Sequence, residues 1–249
     1  MRIAKNTNWI EHRFQLRLKV WRRLLSLCLG LVALLLLGAC GRAEPTSVPT
    51  TVPTAMSVAT TGRTGLIVAM GDSLTEGLGV NMDAAYPAQL ERKLRADGYD
   101  FSVINAGVSG ETSSGALTRI DFVMTLNPDI VILATGGNDS LRAIDPALTQ
   151  ANITQLVQTL QAKGILVVLA GMQTVQNMGA EYTGAFQAIY PAVAQAEKVL
   201  LIPFFLEGVG GKRELNQPDF IHPTADGYAV VVETIYPYVV EAIQAMPGG

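Results

Sequence analysis

Apolar residues follow two different periods along the chain after about residue 65. Short runs are apolar at every position, and the longer segments between them place apolar residues every three or four positions. Continuous apolar runs are typical of strands covered on both faces, and the longer period is typical of amphipathic helices. The predicted strands are Leu66–Met70, Phe101–Asn105, Ile130–Ala134, Ile165–Ala170 and Val199–Pro203. The predicted helices are Ala85–Asp97, Ser114–Met124, Pro146–Lys163, Gly184–Ala196 and Thr224–Ala245, the last with a bend near Pro237.

The alternation of these strands and helices, with short connections, predicts a three-layer α/β fold. Its sheet is expected to be five-stranded, parallel and doubly wound, as in flavodoxin-like proteins. Each strand is followed by a polar segment, and in chain order these segments read GDSLTEG, NAGVSGET, TGGNDSL, GMQTVQNMG and DFIHPT. Ligands of doubly wound sheets bind outside the carboxyl ends of the strands. We therefore expect one functional site where the five polar segments converge.

The N-terminal part of the chain has the composition of a secretory signal. The first 23 residues carry seven basic side chains and one acidic side chain, and an uncharged leucine-rich run follows from Leu24 to Leu37. That run is shorter than the roughly 20 apolar residues that span a bilayer. The sequence LGAC ends at Cys40 and resembles the lipobox of bacterial lipoproteins, in which the cysteine is lipidated. We therefore predict a signal peptide over residues 1–39 and a lipid anchor at Cys40, with an uncleaved N-terminal anchor as the alternative.

Residues 40–65 are predicted to form a linker, because they are rich in Thr, Pro and Ser and show no apolar period. The domain of residues 66–249 would then be exported and lipid-anchored to a bacterial membrane, on its periplasmic or extracellular face. Cys28 lies in the signal peptide, so Cys40 is the only thiol of the processed chain, which leaves no disulfide framework. The whole chain has a formal charge of −3, and removing the signal peptide's seven basic and one acidic side chains leaves −9. This acidic balance argues against nucleic acid as a partner.

Ser73 is the first candidate for chemistry. It lies in GDSL, directly after the first predicted strand, where a strand-to-helix turn exposes a hydroxyl; a helix cap is its alternative role. The chain has two histidines, and His12 lies in the signal peptide, so a histidine partner for Ser73 must be His222. Asp219 precedes His222 by three residues, a spacing that lets the carboxylate accept from one ring nitrogen while the other takes the serine proton. The alternative for His222 is a cap of the last helix.

Acyl transfer also needs donors for the oxygen that becomes negatively charged. The amide of Ser73, the amide of Gly107 in NAGVSGET and the carboxamide of Asn138 in GGND come from three loops on the same edge of the sheet. A turn glycine is the alternative role for Gly107, and an Asx-turn residue is the alternative for Asn138. Together the three groups fit an oxyanion hole.

Four segments in this order resemble the SGNH, or GDSL, hydrolase family. They are GDSL at Gly71–Leu74, Gly107 in NAGVSGET, GGND at Gly136–Asp139 and DFIH at Asp219–His222. The similarity covers nearly the whole globular part, from about Leu66 to the last helix. The longer segments YPAQL, GGNDSLR, FQAIYP and LLIPFFLEGV are similar to the bacterial branch of arylesterases and acyl-thioesterases/lysophospholipases.

The resemblance implies a role for each candidate. Ser73 would be the nucleophile, His222 the base and Asp219 its partner, and the oxyanion hole would consist of the Ser73 amide, the Gly107 amide and the Asn138 side chain. The loop after the fourth strand departs from the branch, because Thr174 and Val175 replace a Leu-Pro pair. That loop lines the acyl pocket in relatives. The candidate pocket residues are Leu141, Val175 and Met178, for which simple packing is the alternative role.

The expected function is hydrolysis of an acyl ester or thioester, a small-molecule substrate, with no metal and no organic cofactor. A carbohydrate O-acetyl esterase acting on envelope polysaccharide would use the same residues. A metallohydrolase built on Asp72, Asp219 and His222 is a more distant alternative. A lipoprotein that binds ligands without catalysis is the alternative outside enzymes. Labelling of Ser73 by a fluorophosphonate separates the catalytic from the non-catalytic hypothesis.

Overall fold

The computed structural model describes residues 64–174 and 178–246. Its strands are β1 (Thr64–Gly71), β2 (Asp100–Gly107), β3 (Ile130–Ala134), β4 (Leu166–Ala170) and β5 (Leu200–Ile202). They form one parallel sheet in the order β2-β1-β3-β4-β5, so the chain winds outwards in both directions from β1. The predicted doubly wound α/β fold is confirmed.

All five predicted helices are present, with ends that differ from the prediction by at most four residues. The helices are α1 (Ser73–Glu76), α2 (Tyr86–Ala96), α3 (Ser113–Thr125), α4 (Gly137–Leu141), α5 (Pro146–Gln161), α6 (Ala180–Glu197) and α7 (Ala225–Ala245), with 3-10 turns at Met82–Ala84 and Arg213–Leu215. The prediction lacked α1 and α4, which have four and five residues and are too short to show a helical period. Helix α7 continues through Pro237.

The sheet is covered on both faces, as its continuous apolar strands predict. Every residue of β3 is buried, and β1 is buried from Ile67 onwards. Crossovers between parallel strands are right-handed, so α2, which leads from β1 to β2, lies on the face opposite α3, α5 and α6. The contacts agree, because α2 packs against α7, whereas α5 packs against both α3 and α6.

The carboxyl ends of the three central strands lie at the same level. Gly71 at the end of β1 pairs with Gly107 of β2 and with Ala134 of β3. The segments that follow these strands therefore start side by side. A side chain at residue 71 would not fit, because its Cβ would lie 2.4 Å from the carbonyl oxygen of Ala134.

The predicted signal peptide over residues 1–39, Cys40 and nearly all of the predicted linker over residues 40–65 lie outside the described residues. Strand β1 begins at Thr64, two residues before the predicted start of the domain. Across residues 64–174 and 178–246, no helix has the length and apolar character that crossing a bilayer requires.

Candidate active site

The structure brings together Ser73, His222 and Asp219. The Ser73 Oγ lies 2.8 Å from His222 Nε2, and His222 Nδ1 lies 2.6 Å from Asp219 Oδ2. A carboxylate only accepts hydrogen bonds, so Nδ1 carries the ring proton and Nε2 accepts from the serine hydroxyl. The unprotonated Nε2 of His222 is therefore in position to accept a proton from Ser73, which lines a cavity.

A tight turn between Asp219 and His222 holds the histidine ring. Asp219 Oδ1 accepts from the backbone N–H of Ile221 at 3.0 Å and of His222 at 3.1 Å. The hydrogen bond from the His222 side chain, supported by these two amides, lowers the pKa of Asp219 to about 2. The carboxylate therefore stays ionised at neutral pH and fixes the orientation of the imidazole.

His222 does not cap the last helix. Thr224 does so, because its side chain accepts from the Gly227 N–H at 3.1 Å. The His222 segment is held instead by Gln217. The Gln217 N–H donates to the His222 carbonyl at 2.8 Å, and its side-chain Nε2 donates to the carbonyl of Leu78, after α1, at 2.7 Å. This second bond joins the histidine loop to the serine turn.

Asp72, rather than Ser73, caps helix α1. Asp72 Oδ1 accepts from the Leu74 N–H at 3.0 Å, so the alternative role of Ser73 as the cap is wrong. Ser73 is the first residue of the helix, and its own N–H makes no hydrogen bond with any described residue. Both its hydroxyl and its amide are therefore available at the cavity.

The side chain of Asn138 lines the same cavity and is fixed by Asp72. Asn138 Nδ2 donates to Asp72 Oδ2 at 3.1 Å, which leaves its second N–H for another acceptor. Burial raises the pKa of Asp72 to about 6, against the opposing effects of the Leu74 amide and the Asn138 side chain. The sequence indicated Asp72 only as a metal ligand, and its contact with a residue 66 positions away was not foreseen.

Gly107 does not offer a free amide. Its N–H donates to Asn105 Oδ1 at 3.0 Å, and a Cβ at this position would lie 2.1 Å from the backbone nitrogen of Glu76. The structure therefore gives this glycine a packing role against α1 and does not support its amide as an oxyanion donor. Gly110 in the same loop has φ of 76°, and its N–H makes no hydrogen bond with the described residues. Its carbonyl accepts from Arg142 Nη2 at 2.8 Å, at the end of α4.

A partly buried ion pair and a buried carboxylate fix the loops that carry these groups. Glu111 pairs with Arg119 through both oxygens, at 2.5 and 2.6 Å, and the guanidinium also donates to the Gly71 carbonyl at 3.2 Å. Fully buried Asp139 accepts from the N–H and the hydroxyl of Ser113, at 2.8 and 2.5 Å. The loop after β2 and the short helix α4 are thus tied to β1 and to the start of α3.

The cavity beside Ser73 has a volume of about 210 Å³ and mostly apolar walls. Of the predicted pocket residues, Leu141 lines it and is half exposed, Met178 does not line it, and Val175 lies outside the described residues. The lining residues not foreseen from the sequence are Leu74, Gly137, Ser140, Met172, Gln173, Phe204, Leu206, Phe220 and Ile221. Thr174 is buried behind the wall, where the Ser140 hydroxyl donates to its Oγ1.

The described residues contain no group of three or more His, Cys, Asp or Glu side chains placed to hold a metal ion. Asp72, one ligand of the metallohydrolase alternative, is engaged by the Leu74 amide and by Asn138.

The doubly wound sheet, with a serine, a histidine and an aspartate in hydrogen-bonded series at its carboxyl edge, defines an α/β protein with the site of a serine hydrolase. Residues 69–230 match the GDSL-like Lipase/Acylhydrolase family, and the chain belongs to that family.

Characterised relatives agree with this assignment. Over 172 residues the chain is 40% identical to Esterase TesA of Pseudomonas aeruginosa, a match that covers 69% of this chain and 86% of the relative. Over 168 residues it is 35% identical to Thioesterase 1/protease 1/lysophospholipase L1 of Escherichia coli K12, covering 67% and 79%. The crystal structure of esterase EstA from Pseudoalteromonas, inhibited by monoethylphosphonate, superposes with a TM-score of 0.69 at 29% identity, covering 72% of this chain and 99% of that one. The chain is therefore a hydrolase of ester bonds, and the non-catalytic alternative is set aside.

Proposed function

We propose that the chain is a serine esterase that hydrolyses acyl esters or thioesters with Ser73 as nucleophile, His222 as base and Asp219 as its partner. The observation that carries this proposal is the 2.8 Å contact between Ser73 Oγ and His222 Nε2, with Asp219 at 2.6 Å on the other ring nitrogen. The names of the relatives, esterase and thioesterase/lysophospholipase, support the same substrate class.

The reaction follows from these positions. Ser73 Oγ attacks the carbonyl carbon while its proton passes to His222 Nε2. The tetrahedral intermediate collapses, the bond to the leaving oxygen or sulfur breaks, and His222 returns the proton to that atom. Water then attacks the acyl-serine by the same route and releases the acid. Asp219, ionised throughout, stabilises the imidazolium that forms in each half-reaction.

We propose that the oxyanion is held by the amides of Ser73 and Gly110 and by Asn138 Nδ2. Gly110 replaces Gly107 because the Gly107 N–H is engaged by Asn105. Gly110 also lies close to the turn, since Val108, two residues earlier, donates its N–H to the Gly71 carbonyl at 2.9 Å. A crystal structure of the phosphonate adduct of Ser73 tests the set. We expect the phosphonyl oxygen within about 3 Å of these three nitrogens, and contact with the Gly107 nitrogen in place of Gly110 would overturn the replacement.

The test of the nucleophile and base compares purified variants on short p-nitrophenyl esters. Ser73→Ala and His222→Ala should each lower kcat at least about a thousandfold, because members of such a triad act as a unit. Ser102→Ala is the matched control, since Ser102 is an exposed residue of β2. Near-normal turnover in either site variant, with an unchanged circular dichroism spectrum, would refute the assignment.

The same enzyme assayed on a panel of fatty-acyl esters, acyl thioesters and O-acetylated glycans identifies the natural class. The mostly apolar cavity favours an acyl chain over a sugar. A higher kcat/KM on acetylated polysaccharide than on any fatty-acyl ester would support the envelope O-acetyl esterase instead.

We also propose that the domain is exported and tethered to a bacterial membrane through lipidated Cys40. The support is the basic N-terminal segment, the apolar run that follows it and the sequence LGAC. Mass spectrometry of the mature protein from membranes should find a diacylated N-terminal cysteine, and Cys40→Ser should abolish lipidation. An intact N-terminus that begins at Met1 would favour the uncleaved anchor.

A further inference from the structure

The Gly110 amide is presented by a tight turn in the loop after β2. The carbonyl of Val108 accepts from the Glu111 N–H at 3.1 Å, which closes the turn. Gly110 is the third residue of this turn, and its φ of 76° is that of a type II turn, which favours glycine there. The peptide that carries the Gly110 N–H joins Ser109 to Gly110, so its placement depends on how Ser109 is held.

A single carboxylate holds Ser109 at both of its donor groups. Glu76 Oε2 accepts from the Ser109 N–H at 3.0 Å and also from the Ser109 hydroxyl. Within residues 64–174 and 178–246 the Glu76 carboxylate makes no other hydrogen bond and no ion pair. Two donors of one residue on the same oxygen fix that residue in both position and orientation.

Glu76 is the last residue of helix α1, and Ser73 is the first. The contact between Glu76 and Ser109 therefore joins the helix that carries the nucleophile to the turn that carries Gly110. The N–H groups of Ser73 and Gly110 are two of the three proposed oxyanion donors, so their separation depends on this contact. An oxyanion donor is effective only at about 2.7–3.1 Å from the oxygen that becomes negatively charged.

Helix α1 itself does not need the Glu76 side chain. The Glu76 carbonyl accepts from Asn105 Nδ2 at 3.1 Å, and the Gly77 N–H donates to the Ser73 carbonyl at 3.1 Å, so backbone groups fix the end of the helix. Glu76 and Ser109 are both exposed. Removing the carboxylate should therefore leave the fold intact while it releases Ser109.

We propose that Glu76 is a positioning residue of the oxyanion hole, which acts through Ser109 on the Gly110 amide. This inference rests on the proposed set of oxyanion donors. The negative charge of Glu76 repels the oxyanion, so the benefit of the carboxylate comes from its role as a hydrogen-bond acceptor.

The test measures kcat and KM on p-nitrophenyl acetate for two variants of Glu76. Glu76→Ala should lower kcat about tenfold to a hundredfold with little change in KM, since outright loss of one oxyanion donor costs about a hundredfold to a thousandfold. Glu76→Gln should retain at least about a third of the parent kcat, because its amide oxygen still accepts from Ser109. Glu241→Ala is the matched control, because Glu241 is an exposed glutamate of α7 beside the amino ends of β4 and β5.

Two further measurements separate positioning from a structural role. The double variant Glu76→Ala/Ser109→Ala should lose no more kcat than Glu76→Ala alone, because both substitutions remove the same contact. In crystal structures of the phosphonate adduct of Ser73, the Gly110 nitrogen should lie within about 3 Å of the phosphonyl oxygen in the parent and farther from it in Glu76→Ala.

The outcomes distinguish this proposal from the mechanism on which it rests. An unchanged kcat in Glu76→Ala overturns the positioning role, as do equal losses in Glu76→Gln and Glu76→Ala or additive losses in the double variant. If the parent adduct shows Gly110 on the phosphonyl oxygen and Glu76→Ala has normal kcat, the role of Glu76 is wrong and the proposed oxyanion hole stands. If the parent adduct lacks that contact, the proposed oxyanion hole is wrong, and the role of Glu76 with it.

Discussion

Replacing Asp72 by asparagine should stabilise the fold and slow the reaction at the same time. Asp72 is 2% exposed, and its two oxygens accept from the Leu74 amide at 3.0 Å and from Asn138 Nδ2 at 3.1 Å. Burial nevertheless raises its pKa from 3.8 to about 6, so ionising Asp72 is less favourable in the folded protein than in the unfolded chain. Above about pH 6, the ionised carboxylate of Asp72 therefore lowers the stability of the folded protein.

The magnitude follows from this pKa. Between about pH 4 and pH 6 the folded chain binds more protons at Asp72 than the unfolded chain, so the free energy of unfolding falls as the pH rises through that window. The total loss corresponds to about 3 kcal/mol and persists at higher pH. Asparagine cannot ionise, so Asp72→Asn avoids this loss. Its new carboxamide would face the carboxamide of Asn138, which lowers the gain, and we expect the variant to be about 1–3 kcal/mol more stable than the parent at pH 8. The difference should shrink towards pH 4.

The same substitution should impair catalysis. In Asp72→Asn a neutral carboxamide replaces the carboxylate, so Asn138 loses the charged acceptor that fixes its Nδ2. Loss of one oxyanion donor costs about a hundredfold to a thousandfold in kcat, so misplacing it should cost about tenfold to a hundredfold, with little change in KM.

Urea denaturation at pH 4, 6 and 8 and kinetics on p-nitrophenyl acetate at pH 8 measure both effects. Exposed Asp121→Asn is the control. A variant less stable than the parent at pH 8, or one with normal kcat, would refute the reasoning.

Two further predictions concern the partner of His222 and the packing at Gly107. Asp219→Asn should lower kcat about ten-thousandfold with the fold intact, because the neutral amide no longer holds Nδ1 as the donor; a loss below tenfold on a p-nitrophenyl ester would contradict the role of Asp219. Gly107→Ala should lower the melting temperature strongly, because the added Cβ would lie 2.1 Å from the backbone nitrogen of Glu76. Gly184→Ala should instead stabilise the fold by about 0.5–1 kcal/mol, because Gly184 lies within α6 and no atom lies within 4 Å of the added Cβ. Equal effects of the two substitutions in thermal unfolding would argue against the close packing of β2 on α1.

The sequence predicted the sheet because its signal is local. The five consecutive apolar residues of β3 are enough to indicate a buried strand, and the predicted bounds Ile130–Ala134 are those observed. The convergence of Ser73, Asn138 and His222 also followed from the sheet, because each side chain lies just after a strand or before the last helix.

What the sequence did not predict depends on side chains that reach across the fold. Asp and Ser are about equally good helix caps, so GDSL does not reveal that Asp72 caps α1 and frees Ser73. NAGVSGET contains two glycines, and their amides are distinguished only by the hydrogen bond that the Gly107 N–H donates to Asn105 Oδ1. Nothing in the residue type of Phe220 indicates a left-handed backbone, because that conformation arises from the hydrogen bonds to Asp219.

The central claim is that His222 and Asp219 activate Ser73, and covalent labelling tests it most directly. The parent protein is treated with a fluorophosphonate, digested, and analysed by mass spectrometry for the site and rate of modification. The account predicts one phosphonyl group per chain, on Ser73, with labelling slowed at least about a hundredfold in His222→Ala. Modification of a different residue, or labelling of Ser73 at the same rate without His222, would contradict it.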